Sequence, residues 1–244
     1  NVSGVGTASW LNTASITAAD SNNAQVFLNN TTSQYLQGTN YGFAIPANAT
    51  VNGIAVTIGR YESGASGVVD SVVRLVKNDI VTGSSRAGGT YWPTSLGTAT
   101  YGNSADLWGT AWTPSDINES DFGVALSAYS ATGRIAYVDY MQISVTYTVT
   151  VSSSTTGVNC GEGNPVTTYG SNITCVAIVV RGSGTFTPSG NVNWTTNGSG
   201  NFDTSSCVLS GSNGTATCSV TYTPGSVGSG SHLITASYAG DANF

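Results

Sequence analysis

Charge is the scarcest ingredient of this chain. Only 7% of its 244 residues are Asp, Glu, Lys or Arg, against about 25% in an average soluble domain. The six basic residues are scattered through a chain of net charge −6. No basic stripe exists to hold nucleic acid, and none to hold an anionic membrane. Histidine occurs once, at His232, in a strand beside Gly and Ser, where it reads as a surface or edge residue rather than as the base of a Ser-His-Asp or Cys-His arrangement. No run of about 18 apolar residues is present, which argues against a membrane-spanning helix. No helical period is sustained, and the glycines are too dispersed to cradle a phosphate. No cysteine precedes Cys160.

What fills the gap is Gly, Ser, Thr and Asn, with an apolar fraction of 39%. Low charge with low hydrophobicity would read as disorder. Here Val, Ile, Tyr and Trp recur in alternation, which reads as folded strands. The clearest stretch is Ile135–Val151, in which Ile135 and Tyr137, then Met141, Ile143, Val145, Tyr147, Val149 and Val151 fall every second residue. That is the period of a half-buried strand, but the stretch is too long for one typical strand. It is read as the last strand of one domain running into the first strand of another. The expected domains are 1–148 and 149–244, both all-β.

Within 1–148, Ala49–Arg60 and Val68–Lys77 are strong strands, the first with a bulge or kink at Asn52–Gly53. Weaker candidates are Ala8–Leu11, Gln25–Leu28, Tyr91–Pro93, Thr98–Tyr101, Leu107–Trp112 and Phe122–Ala128. Thr113–Asn118 reads as a turn or single helical turn opened by Pro114. Eight or nine short strands with regular turn signals suggest a jelly-roll-like sandwich. Within 149–244, strands are expected at Val149–Val158, Thr174–Val180, Asn191–Thr195, Phe202–Leu209, Ala216–Tyr222 and Ser231–Tyr238.

All four cysteines, Cys160, Cys175, Cys207 and Cys218, lie in the second half. An even count without a C-x-x-C pair points to disulfides and an oxidising, extracellular compartment. Spacings of 14, 31 and 10 residues do not fit a zinc site. Four cysteines allow three connectivities. Of the Asn-x-Ser/Thr sequons, Asn48, Asn118, Asn172, Asn193 and Asn213 are candidates for surface glycosylation. The chain begins at Asn1 rather than Met, which suggests a removed leader or an excerpt.

Sites of chemistry are few. Asp116, Glu119 and Asp121 read as a loop with a helix cap rather than a carboxylate pair. No contiguous Asp-rich loop would hold calcium, although Asp70, Asp79, Asp106 and Asp139 are scattered candidates. No cofactor or metal is expected. Trp92, Trp108 and Trp112 form a candidate glycan platform, since Trp108 and Trp112 would share one face of a regular strand.

Two resemblances add to this reading. YLQGTNYGFAIPANATVNGIAVTI, DSVVRLVKN, TYGNSADLWGTAWTPSDINESDFGVALS and AYVDYMQISVTYT resemble a β-sandwich module of large secreted and surface proteins of environmental bacteria, over about residues 8–148. This implies location and architecture rather than chemistry. SGNVNWTT, CVLSGSNGTATCSVTYTP and above all HLITASYAGDANF resemble the bacterial immunoglobulin-like repeat family. That resemblance implies a stalk or spacer role and pairing of Cys160 with Cys175 and Cys207 with Cys218. It also implies one more strand after Gly240–Phe244. Without that strand the sheet edge around Leu233, Thr235, Ser237 and Phe244 is an acceptor for strand addition. The expected donor is the N-terminal segment of a neighbouring copy, through Val2, Val5, Ala8 and Trp10, giving a head-to-tail filament. The alternative is that the chain is an excerpt of a longer repeat protein. The functional expectation is a non-enzymatic, extracellular, self-assembling subunit of a filament, pilus-like fibre or adhesin stalk. The competing expectation is a carbohydrate-binding accessory module.

Overall fold

The computed structural model describes residues 1–161, 170–225 and 231–244. They form two compact units, Asn1–Val149 and Thr150–Phe244.

The strands of the first unit are β1 (Ala24–Leu28), β2 (Thr31–Thr32), β3 (Leu36–Thr39), β4 (Ala49–Glu62), β5 (Val68–Lys77), β6 (Ile80–Thr82), β7 (Gly97–Gly102), β8 (Gly123–Ser130) and β9 (Arg134–Val149), with a 3-10 turn at Thr13–Ile16 and one short α-helix, α1 (Pro114–Asn118), before β8. One sheet runs β1-β9-β4-β7 and the other β2-β8-β5-β6, with β3 also on β8. Counting β2 and β3 as one interrupted strand, the orders are first-eighth-third-sixth and second-seventh-fourth-fifth. That is jelly-roll connectivity.

Alternation explains the long strands. On β4, Val51, Ile54, Val56 and Ile58 are all but sealed from solvent. The change of phase after Val51 is a bulge, since pairing with β9 shifts register between Val51 and Gly53. A side chain at Gly53 would lie 2.2 Å from the Ser104 carbonyl carbon, so only glycine lets the 103–106 loop close over the strand. Helix α1 starts at Pro114 behind a capping box, in which Thr113 and Asp116 satisfy each other's backbone N–H.

Three expected strands are absent. Tyr91–Pro93 and Leu107–Trp112 are loops, and Ala8–Leu11 makes only isolated bridges, Ala8 with Ser33 and Leu11 with Gln25. Trp108 has φ 57°, which no strand residue adopts.

The strands of the second unit are β10 (Ser154–Asn159), β11 (Ile173–Arg181), β12 (Asn191–Thr196), β13 (Gly200–Phe202), β14 (Ser206–Val208), β15 (Ser210–Ser212), β16 (Thr215–Pro224) and β17 (Ile234–Tyr238). One sheet is β10-β11-β16-β13, with β15 also on β16, and the facing sheet is β14-β12-β17. This is an immunoglobulin-like sandwich. Its core holds Cys175, Ala177, Val179, Val192, Trp194, Val220 and Tyr222. Phe202–Leu209, expected as one strand, is split between the two sheets. Asp203 marks the crossing: its N–H donates to Thr221 O, and its carboxylate accepts from the N–H of Thr221 and Thr204. The disulfides join Cys160 to Cys175 and Cys207 to Cys218.

Candidate functional site

In the second unit, β17 is bonded to β12 on one side only, with pairs from Val192–Tyr238 to Thr196–Ile234. Among the described residues no strand is hydrogen-bonded to its other side, although β10 runs close by. Across the seam, β10 is likewise paired only with β11. The direction of the free groups follows from the ladder. Asn197 N–H donates to Leu233 O, and Trp194 N–H turns away to Ser205 O. Leu233, Thr235 and Ser237 therefore spend their backbone groups on β12. Ile234, Ala236 and Tyr238 aim theirs at the open edge.

The same three residues face the core yet are only half-buried, whereas Cys175, Ala177 and Val179 on the opposite sheet are fully buried. The seam is thus both an unpaired backbone edge and a thin place in the apolar core. Leu233, Thr235 and Ser237, expected to form the acceptor, are exposed on the outer face. The sequence located the strand but named as the acceptor edge the residues whose backbone groups are spent on β12. The signal that separates them is the more apolar set of Ile234, Ala236 and Tyr238.

Below β17 the chain is pinned by Gly240–Phe244. Asp241 accepts from the N–H and the hydroxyl of Ser189, at 2.9 and 2.6 Å, and from Asn243 N–H at 2.7 Å. Gly240 has φ 90°, and a side chain there would lie 2.2 Å from Phe244 O, so the turn requires glycine. Half-buried Phe244 belongs to this turn, with its backbone closing on Asp241. Burial opposes the charge on Asp241, but the Ser189 and Asn243 bonds prevail and hold its carboxyl below the ordinary value of 3.8. In the first unit the Arg86 ion pair holds Asp106 low in the same sense. A carboxyl depressed on folding stabilises the fold above its unfolded value, and that contribution is lost as pH falls through the folded value. Stability should therefore decline below about pH 4. Asp241→Asn should flatten the decline for the second unit only, as read by calorimetry across an acid series.

The expected donor residues are already engaged in their own unit. Trp10 is 2% exposed and donates its indole N–H to Gln34 O. Val2 exchanges both backbone bonds with Tyr35, and Ala8 N–H donates to Thr32 O. Val5 is half-buried against the cluster of Tyr35, Val76 and Ala125. Withdrawing Trp10 would empty its pocket at about 3–5 kcal/mol, so Val2, Val5, Ala8 and Trp10 do not form a free donor strand.

The glycan platform is also overturned. Trp92, Trp108 and Trp112 are 2%, 0% and 7% exposed and offer no ring face to a sugar. Each is anchored through its indole N–H, Trp92 to Asp70, Trp108 to Ile54 O and Trp112 to Leu107 O. Of the sequon asparagines, Asn118 is committed to Ile45, accepting its N–H and donating to its carbonyl. Asn172, Asn193 and Asn213 are exposed and Asn48 is half-buried.

The densest polar cluster spans the two sheets of the first unit. Asp70 on β5 pairs with Arg60 on β4 and also accepts from Trp92 Nε1, the Tyr101 hydroxyl and Gly88 N–H. The Arg60 guanidinium lies over the Trp92 ring at 4.8 Å. Burial, then the neighbouring Asp70, raises the Tyr101 pKa. Every oxygen of Asp70 is occupied within the fold, so the cluster is a clamp between sheets. Glu62, fully buried, similarly accepts from Gly67 and Val68 N–H. Asp116 caps α1 and pairs with Lys77. His232 Nδ1 sits 2.7 Å from the Tyr222 hydroxyl. Among the described residues no three His, Cys, Asp or Glu side chains cluster to hold a metal ion, and no helix is long and apolar enough to cross a membrane.

Residues 160–244 match the bacterial Ig-like domain (group 3) family. Comparison with curated proteins and with solved structures gives no match. The matched segment includes both disulfides and the whole of β17 and its anchoring turn.

Proposed function

We propose that this chain is an extracellular structural subunit, in which the second unit takes up a β-strand from another chain along β17. The bacterial Ig-like match supports a surface or structural role, and two disulfides fit an oxidising, extracellular setting. The observation that carries strand uptake is the open seam, where the N–H and C=O groups of Ile234, Ala236 and Tyr238 point outward beside a half-covered core. A strand laid there completes a ladder and covers the apolar gap in one step. If each subunit both donates and accepts, the contact is head-to-tail and builds a filament or stalk. The donor lies elsewhere than Ala8–Trp10, which is locked into its own sandwich.

Proline tests this directly. Ala236→Pro deletes an N–H that β12 does not use, so the second unit stays folded, as edge strands tolerate proline. Strand uptake should be abolished. Ser237→Pro breaks the β12 ladder and should unfold the unit instead. Electron microscopy of the native material, reconstructed to side-chain resolution, is the readout. Filaments with a foreign strand beside β17, lost in Ala236→Pro, would support the reading. Single particles with a bare β17, or filaments indifferent to Ala236→Pro, would sink it.

A further inference from the structure

We propose that the groove between β9 and the Gly38–Tyr41 segment of the first unit binds a neutral saccharide. Strand β1 covers β9 from Arg134 to Val138 and Thr17 bridges Tyr140. Beyond that, among the described residues, no strand flanks β9 on this side, and a groove of about 480 Å³ opens beside Met141–Ser144. That volume suits a small ligand.

The lining defines the chemistry. Thr17, Thr39, Asn40, Thr57, Gln142 and Ser144 supply hydroxyl and amide groups. No charged residue lines the groove, so it has nothing to recognise a phosphate, a carboxylate or an amine. Neutral donors and acceptors around apolar surface suit a polyhydroxylated ring, which presents hydroxyls at its rim and C–H groups on its faces.

Tyr41 is the anchor. Its hydroxyl lies over Gly38, where a side chain would come within 2.9 Å of it. The hydroxyl has no hydrogen-bond partner among the described residues, and burial keeps it protonated by raising its pKa. The ring is held from behind by a run of aromatics, Tyr41 on Phe43, Phe43 edge-on to Phe122, and Phe122 edge-on to Trp112. A rigid ring with a free hydroxyl binds at low entropic cost. Gln142 and Thr57 face each other across β9 and β4, so they reach the ligand from the sheet face. Sequence could not reveal this groove, because Thr39–Tyr41 and Met141–Ser144 meet only through the fold.

The test is calorimetric titration of the full chain with neutral oligosaccharides of glucose, xylose, mannose and galactose. Tyr41→Phe removes the hydroxyl and keeps the aromatic packing, and should weaken binding about tenfold, the worth of one good hydrogen bond. Gln142→Ala should act in the same direction. Phe27→Ala, on the other groove of this unit beside Leu11 and Ile135, should leave binding unchanged. No saturable binding by any of these sugars at millimolar concentration would overturn the proposal. So would binding indifferent to Tyr41→Phe and Gln142→Ala, or occupation of the groove by an extended peptide in preference to a sugar. None of these outcomes bears on strand uptake by the second unit.

Discussion

Replacing Asp70 by alanine should destabilise the first unit by about 3–5 kcal/mol, the cost of stranding a buried charge. The Arg60 side chain is 9% exposed and that of Asp70 only 1%. Without Asp70 the guanidinium stays in the core with no counter-charge, and the Trp92 indole and Tyr101 hydroxyl lose their acceptor as well. The pair also ties β4 in one sheet to β5 in the other, so the loss is felt by both. Charge itself is not what the core requires. Replacing both partners together, as Arg60→Met with Asp70→Leu, should recover the part owed to the stranded charge but not the part owed to the Trp92 indole, the Tyr101 hydroxyl and Gly88 N–H, which still lack an acceptor. Urea unfolding followed by tryptophan emission reads the first unit, which holds four of the five tryptophans. A cost below about 1 kcal/mol for Asp70→Ala, the range of an exposed ion pair, would show that the clamp carries little.

The second large effect is reduction of the cystines. Cys160–Cys175 and Cys207–Cys218 close loops of 15 and 11 residues. Each restricts the unfolded chain by about 3 kcal/mol in the chain-entropy account. Together they approach the whole stability of a small domain, about 5–15 kcal/mol. Treatment with dithiothreitol, or the quadruple Cys→Ala variant, should therefore unfold the second unit at 37 °C. The first unit, which has no cysteine, should keep its transition. Trp194 is the only tryptophan of the second unit, with its indole N–H 3.1 Å from Cys207 Sγ, so its emission changes with the event while that of the four first-unit tryptophans does not. Two unchanged transitions under reduction would show that the packed core suffices.

How much of this was legible depended on how local each signal is. Half-buried strands declare themselves, since Val, Ile and Tyr on every second residue of most of β4 and β9 encode the pleat directly, whereas β5 breaks its alternation at a bulge between Asp70 and Val72. The α1 cap was readable because Thr113, Pro114 and Asp116 sit within one turn. The Gly240–Phe244 signature was recognisable, and the structure supplies its cause in a tight turn hung on Ser189. The tryptophans were misread because their spacing of four residues was laid on a strand that is not there. Trp108 takes a left-handed turn instead. The N-terminal segment reads as a donor strand free to leave because it is small and polar. Thr7 and Trp10 are held by Thr32 and Gln34, partners some 25 residues away that no local pattern announces.

Strand β9 has a consequence for load. It is 16 residues long, and it lies between β1 and β4 in the sheet. From Ala136 to Val149 it is paired antiparallel with β4, whose bonds stand perpendicular to the strand. A pull along Val149 therefore does not unzip the sheet one bond at a time. It shears the whole ladder at once, so the rate of forced unfolding is set by many bonds failing together.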